Sequence, residues 1–334
     1  MMRRGNSSFL FVAGMVRALE KRLIGRPVIE SMLRADSVDG IAEILKNTAY
    51  STWIEKAGRE FRAADMISSM RSELYSFIEK YSYGSGAGAL FRLDYDYYNM
   101  KVLLKKNIFT GQKMASLSEL GNFGAGFMED IFAEERYGSL PSIMGEAVSS
   151  AIEAYYSVKK QPVIDLVMDI YLFRDLLERG AVTGEGVVER YIRRRIDIVN
   201  ILTLLRNGGK SGIEDYMSYL FIDGGFISTE EFINAADDPL KTLKLIALKN
   251  DLDGISEALN GKEYTVYAAE RECRAVMLDE LEPADFMITG VEPLFAYGCR
   301  ADDELRKVGM IFASKAPGFD RGAADILLGA GGVI

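Results

Sequence analysis

The side chains with the most chemical reach here are two glycine-rich runs, two cysteines and one cluster of carboxylates. Gly208-Gly209-Lys210-Ser211 ends like a phosphate-binding loop, in which backbone N–H groups and a lysine hold a nucleotide. Such a loop needs a glycine five positions before its last one, and that position is Leu204, inside an amphipathic stretch. Gly84-Ser85-Gly86-Ala87-Gly88 invites a dinucleotide reading, which requires a strand before it and an acidic residue about twenty positions on. A helical pattern at 73–80 precedes it instead. Asp302, Asp303 and Glu304 sit together, but metal or glycoside chemistry needs partner ligands the sequence does not supply, so they read as a solvated or subunit-facing helix end. Cys273 and Cys299 are too few for a zinc site and form no disulfide framework; reduced, partly buried thiols are expected.

The chain has no histidine, which removes the usual general base, the Ser-His and Cys-His nucleophile pairs and the commonest transition-metal ligand. No catalytic, cofactor-binding or metal-binding residue is assigned. Forty Lys and Arg against 49 Asp and Glu give a net charge of −9, which argues against nucleic acid or anionic lipid as a main partner. The basic run Arg190-Tyr191-Ile192-Arg193-Arg194-Arg195 reads as a solvated helix face. Phe9 to Val16 after Arg3-Arg4 superficially resembles a secretory leader, but no small-residue cleavage site follows and the helical pattern continues through Arg22. No apolar run approaches the roughly 18 to 20 residues needed to span a bilayer, so any membrane attachment is expected through another protein.

What remains is repetition. Asp96-Tyr97-Tyr98-Asn99-Met100 and Asp197-Ile198-Val199-Asn200-Ile201 lie 101 residues apart, each followed by a Leu-Leu pair and a base. On a helix this spacing puts Asp, Asn, the next apolar residue and the first leucine on one stripe. A weaker third copy, Ala301-Asp302-Asp303-Glu304-Leu305, carries Glu304 where the others carry Asn. Before each copy stands a short amphipathic segment closed by tyrosine, at Tyr50, Tyr137 and Tyr264, with Tyr-to-Asn/Glu spacings of 49, 63 and 40 residues. Three similar units, 1–117, 118–222 and 223–334, are the expected organisation.

Apolar residues recur at three and four almost throughout, while strand-like alternation is scarce, so an all-α fold follows. Pro27 and Pro162 suit first helical turns. The glycine clusters at 121–127 and 223–226 fall between units, as connectors. An asparagine on an apolar stripe must satisfy its amide, so Asn99 and Asn200 are expected to be buried and bonded to backbone near the tyrosine motif.

These repeated helices, the Gly224-Gly225-Phe226 connector and the ending Glu292-Pro293-Leu294-Phe295-Ala296-Tyr297 with Glu304-Leu305-Arg306, Lys315 and Gly318 resemble the C subunit of archaeal and bacterial A/V-type ATP synthases, the counterpart of the d subunit of eukaryotic V-ATPases. The resemblance runs through essentially the whole chain. It implies a funnel of three similar helical bundles about a pseudo-threefold axis, peripheral on the cytoplasmic face of the membrane, which joins the central-stalk subunits to the proteolipid ring. It brings no catalytic residue, metal or cofactor, and it departs at Glu304, where asparagine is more usual. A helical-repeat adaptor unrelated to the ATPase, and a helical enzyme using carboxylates, are the alternatives. Because Leu204 breaks the phosphate loop, titrating the purified chain with ATP is expected to give no saturable binding; binding that disappears in Lys210→Ala would overturn this.

Overall fold

The computed structural model describes residues 2–57, 61–109, 111, 113–183, 186–207, 214–235, 238–260 and 266–315. Every regular element among them is a helix. They form two compact units, one from the described parts of 1–84 and 261–334, the other from those of 85–260. The first unit begins with α1 (Met2–Glu20), α2 (Arg26–Arg34), α3 (Val38–Leu45), α4 (Ser51–Ala57) and α5 (Ala63–Tyr81). The second contains α6 (Ala87–Ile108), α7 (Ala125–Ala133), α8 (Ser142–Val158), α9 (Pro162–Thr183), α10 (Val187–Asn207), α11 (Thr229–Asn234), α12 (Pro239–Lys249) and α13 (Asp253–Asn260). The chain then returns to the first with α14 (Val266–Asp279) and α15 (Glu292–Ala313).

Local chemistry sets many of the helix ends. Ser37, Ser228 and Asp238 cap α3, α11 and α12 by accepting from the N–H of Gly40, Glu231 and Lys241. Pro27, Pro239 and Pro293 occupy first turns, and Pro162 opens α9, where a missing N–H costs nothing. Gly84 and Gly86, with φ of 81° and 84°, make the left-handed turn from α5 into α6. This glycine run therefore links two helices, with no strand before it. Gly208-Gly209-Lys210-Ser211 lies outside the described residues.

In the second unit α9 is the central helix, packed against α8, α6 and α10. In the first, α15 has that position, against α5, α1 and α2. Of the helices carrying the sequence repeat, α15 is buried around most of its circumference, and α6 and α10 each bury the stripe that holds the repeated residues. On α6 the stripe runs Leu93, Asp96, Tyr97, Asn99, Met100, Leu103 and Leu104; on α10 it is Ile196, Asp197, Asn200, Ile201 and Leu204. Polar residues thus sit where the 3.6-residue period calls for apolar ones, and each needs a partner inside the protein.

Candidate functional site

The buried polar residues of α6 and α10 hold the chain segment that follows each helix. Asn99 donates from Nδ2 to the Ser118 carbonyl at 2.8 Å and accepts the Ser118 N–H at 2.8 Å. Asn200 does the same to Ile222, at 2.8 and 2.9 Å. One side-chain amide therefore satisfies both polar groups of one loop residue, as a neighbouring β-strand would. One turn earlier on the helix, Asp96 Oδ1 accepts the N–H of Phe123 at 3.1 Å and Asp197 Oδ1 that of Ile227 at 3.0 Å. Arg92 and Arg193, a further turn back, donate to the carbonyls of Leu120 and Gly224 at 3.3 and 2.9 Å.

The register is the same in both copies. Arg, Asp and Asn at i, i+4 and i+7 of the helix grip a connector at its third, sixth and first residues: 120, 123 and 118 in one copy, 224, 227 and 222 in the other. The fourth connector residue is glycine in both. A Cβ on Gly121 would collide with Asp96 Oδ1, and one on Gly225 with Asp197 Oδ1. The glycine clusters read as simple connectors are the places where the chain must lie flat against a carboxylate. The asparagine partner is likewise this connector, and not the backbone beside the tyrosine motif as expected. The arginines were the residues sequence reasoning passed over, although Arg92 and Arg193 share the 101-residue spacing of the aspartates.

The third helix keeps the grip and changes its chemistry. Ala301 stands in place of the aspartate, and Glu304 accepts the Ile24 N–H on Oε2 and the Tyr50 hydroxyl on Oε1, the latter at 3.0 Å. Glutamate is one methylene longer than asparagine and cannot donate, so a tyrosine hydroxyl replaces the backbone carbonyl in the pairing. Burial pushes the Glu304 carboxyl up against these two hydrogen bonds. Burial, with Glu304 behind it, also pushes the Tyr50 hydroxyl up. Tyr50 is buried, whereas Tyr137 is half-buried, stacked edge-on to Phe132 at 5.2 Å and hydrogen-bonded to Asn107. Both tyrosines reach a repeat helix, but Tyr137 does so about two turns beyond the level of Asn99. Tyr264 lies outside the described residues. Beside Glu304 opens a cleft of about 320 Å³ between the end of α1, α4, α5 and α15.

The other two acidic residues of that cluster are not a solvated helix end. Asp303 is buried and meets Arg274, Arg306 and Lys307; burial opposes its charge, but these three cations outweigh it and hold the carboxyl below its ordinary value. Asp302 takes Arg71 at 2.6 Å and Tyr75 at 2.9 Å. The basic run on α10 is also partnered within the chain. Arg193 binds Glu189 and the Gly224 carbonyl, Arg194 binds Asp197 and lies over the Phe226 ring, and Arg195 pairs with Asp94. These are contacts within α10 and from it to the connector and α6, not a free cationic face.

A sequence profile of the ATP synthase (C/AC39) subunit family matches residues 12–324. The chain belongs to that family. It is also similar to the C subunit of the V-type sodium ATPase of Enterococcus hirae, 20% identical over 304 residues that cover 90% of this chain and 92% of the relative. In this C/AC39 chain the repeated site does structural work: each repeat helix fixes the backbone of an irregular connector. The first and second copies grip the connector that follows their own helix, at 118 and 222, while the third grips residue 24, far back in the chain.

Asn99→Leu and Asn200→Leu each orphan a buried N–H and carbonyl and are expected to cost about 1–3 kcal/mol in urea unfolding. Gly121→Ala and Gly225→Ala should cost a similar amount, about 1–3 kcal/mol, by displacing the connector from the aspartate. An unchanged midpoint in all four would remove the clamp. Asp96 supplies a pH test, because burial pushes its carboxyl up to about 6 against hydrogen bonds from Asn122 and Phe123. A carboxyl raised on folding binds its proton more tightly in the native state. Its contribution is therefore fully present below the ordinary value of 3.8 and is lost as pH rises through about 6. Between about pH 4 and pH 7, wild type should lose on the order of 1–3 kcal/mol relative to Asp96→Asn, read from urea melts of both proteins.

Proposed function

We propose that this chain is the non-catalytic C subunit of a V/A-type rotary ATPase, a rotor piece that joins the central-stalk subunits to the membrane proteolipid ring on its cytoplasmic face. The observation that carries the reading is the family match over residues 12–324, almost the whole chain and a span that includes the clamp helices and connectors described above. The likeness to the C subunit of a V-type sodium ATPase over most of both chains supports the same assignment.

A part that transmits torque must not yield in its own loops. The clamps support this reading physically, since they convert connectors without secondary structure into segments tied to buried helices at several points. Because the third clamp joins the last repeat helix to residue 24, the three units 1–117, 118–222 and 223–334 are proposed to close as a pseudo-threefold funnel. Among the described residues no helix is long and apolar enough to cross a membrane. The ring and stalk are therefore proposed to be held by protein contacts, each burying more than about 1,000 Å² if stable. The connectors at 121–127 and 208–212 are candidate contact loops, the second of them outside the described residues.

Reconstitution tests the assignment. Complexes that lack this chain are expected to retain ATP hydrolysis in the soluble head and to lose coupled ion transport, with restoration when the purified chain is added back. Normal pumping without it, or a purified chain that binds neither stalk nor ring in a pull-down, would show the assignment to be wrong.

A further inference from the structure

The cleft beside Glu304 has a lining that the clamp does not use. Trp53, Phe77 and Tyr297 face it, with the Phe77 and Tyr297 rings edge to face at 6.1 Å, and Tyr50 closes its floor. A volume of about 320 Å³ falls at the small end of small-molecule sites. The Glu304 carboxylate at the floor accepts two hydrogen bonds from neutral donors, Ile24 N–H and the Tyr50 hydroxyl. Among the described residues no cation stands within ion-pair distance of it. Lys307, whose charge it feels, is bound to Asp303 at 2.9 Å. At the mouth lie one further carboxylate, Glu73, and a cation, Arg22, and a second cation, Lys56, sits over the Trp53 ring at 5.0 Å; all three are exposed to solvent and correspondingly screened.

These features select among ligands. A part-buried carboxylate between aromatic faces attracts an organic cation through its own charge and through the ring quadrupoles. An anion meets the same charge as repulsion, and a neutral apolar body gains only the rings. We propose that this cleft binds a small organic ammonium ion with an apolar body, its charged head at Glu304 and its body among Trp53, Phe77 and Tyr297. The assignment goes beyond the rotor reading and does not depend on it.

Trp53 is the only tryptophan of the chain, so its fluorescence reports on this cleft alone. The full-length chain is titrated with protonated 2-phenylethylamine, with 2-phenylethanol as a neutral probe of the same shape, and with 3-phenylpropanoate as an anion. The amine is expected to give a saturable change with a Kd of about 1 mM or tighter, the alcohol to bind at least about tenfold more weakly, and the anion not to bind. Glu304→Gln still offers an oxygen to Ile24 and an amide to the Tyr50 oxygen. It should reduce the amine to the affinity of the alcohol and leave the alcohol unchanged. Arg22→Gln, which removes one of the opposing charges, should tighten amine binding, and Glu73→Gln, a solvated position that leaves the clamp intact, should weaken it by about twofold if Glu304→Gln does not fold. Equal affinity for all three probes, no effect of either glutamate substitution, or no amine binding by ligand-observed NMR at about 10 mM would overturn the proposal.

Discussion

A side-chain amide lying against the backbone of a single loop residue is the contact on which the rest of this structure depends. Asn99 and Asn200 are fully buried on stripes made, apart from one aspartate each, of leucine, isoleucine, methionine and tyrosine. Leucine at those positions would bury more apolar surface, but it would leave an irregular connector with an unpaired N–H and carbonyl against the core. The asparagine trades some hydrophobic burial for a fixed path of the chain. The flanking arginine and aspartate extend the grip to three connector residues, and glycine at the fourth lets backbone and carboxylate come close. Three side chains on one helix face thereby replace the ladder of hydrogen bonds that a strand would have supplied.

Charge is handled in the same way, by placing it on elements that must not slide. Arg300 bridges Asp285 with two hydrogen bonds, at 2.6 and 3.0 Å, and also reaches Glu20, which Arg17 holds from its own helix. Arg17 in turn donates to the Ala284 carbonyl at 2.7 Å. This network ties α1 to α15 and to the turn before it. Exposed pairs contribute little singly, but a bidentate arginine within a network has a defined geometry that resists shear. The buried Asp303, surrounded by three cations, is the strongest instance, since attraction there exceeds the cost of removing the carboxylate from water.

The repeat also shows how one architecture survives a change of chemistry. In α6 and α10 the clamp is an amide that both donates and accepts. In α15 it is a carboxylate that can only accept, so the partner becomes two donors, a backbone N–H and a tyrosine hydroxyl. The exchange leaves a carboxylate beside a cleft, whereas the two asparagine clamps are neutral and closed. A fault in the sequence repeat thus becomes a local chemical difference among three otherwise similar elements.

Much of this was determined by the sequence alone. The 3.6-residue periodicity made the chain all-α, the absence of histidine removed most catalytic chemistry, and the copies at Asp96 and Asp197 marked two equivalent helices whose asparagines had to be bonded. Those features are local, because hydrophobic period and residue type act within a helix. What the asparagines bond to was not local. Their partners lie 19 and 22 residues away in connectors of unlike sequence, recognised through backbone atoms that every residue carries. For the same reason the arginines of α10 read as a solvated face and the glycines at 121 and 225 as mere linkers. Only the packed structure shows which charge meets which carboxylate and how near the chain must pass, because those are distances between elements, and no single segment encodes them.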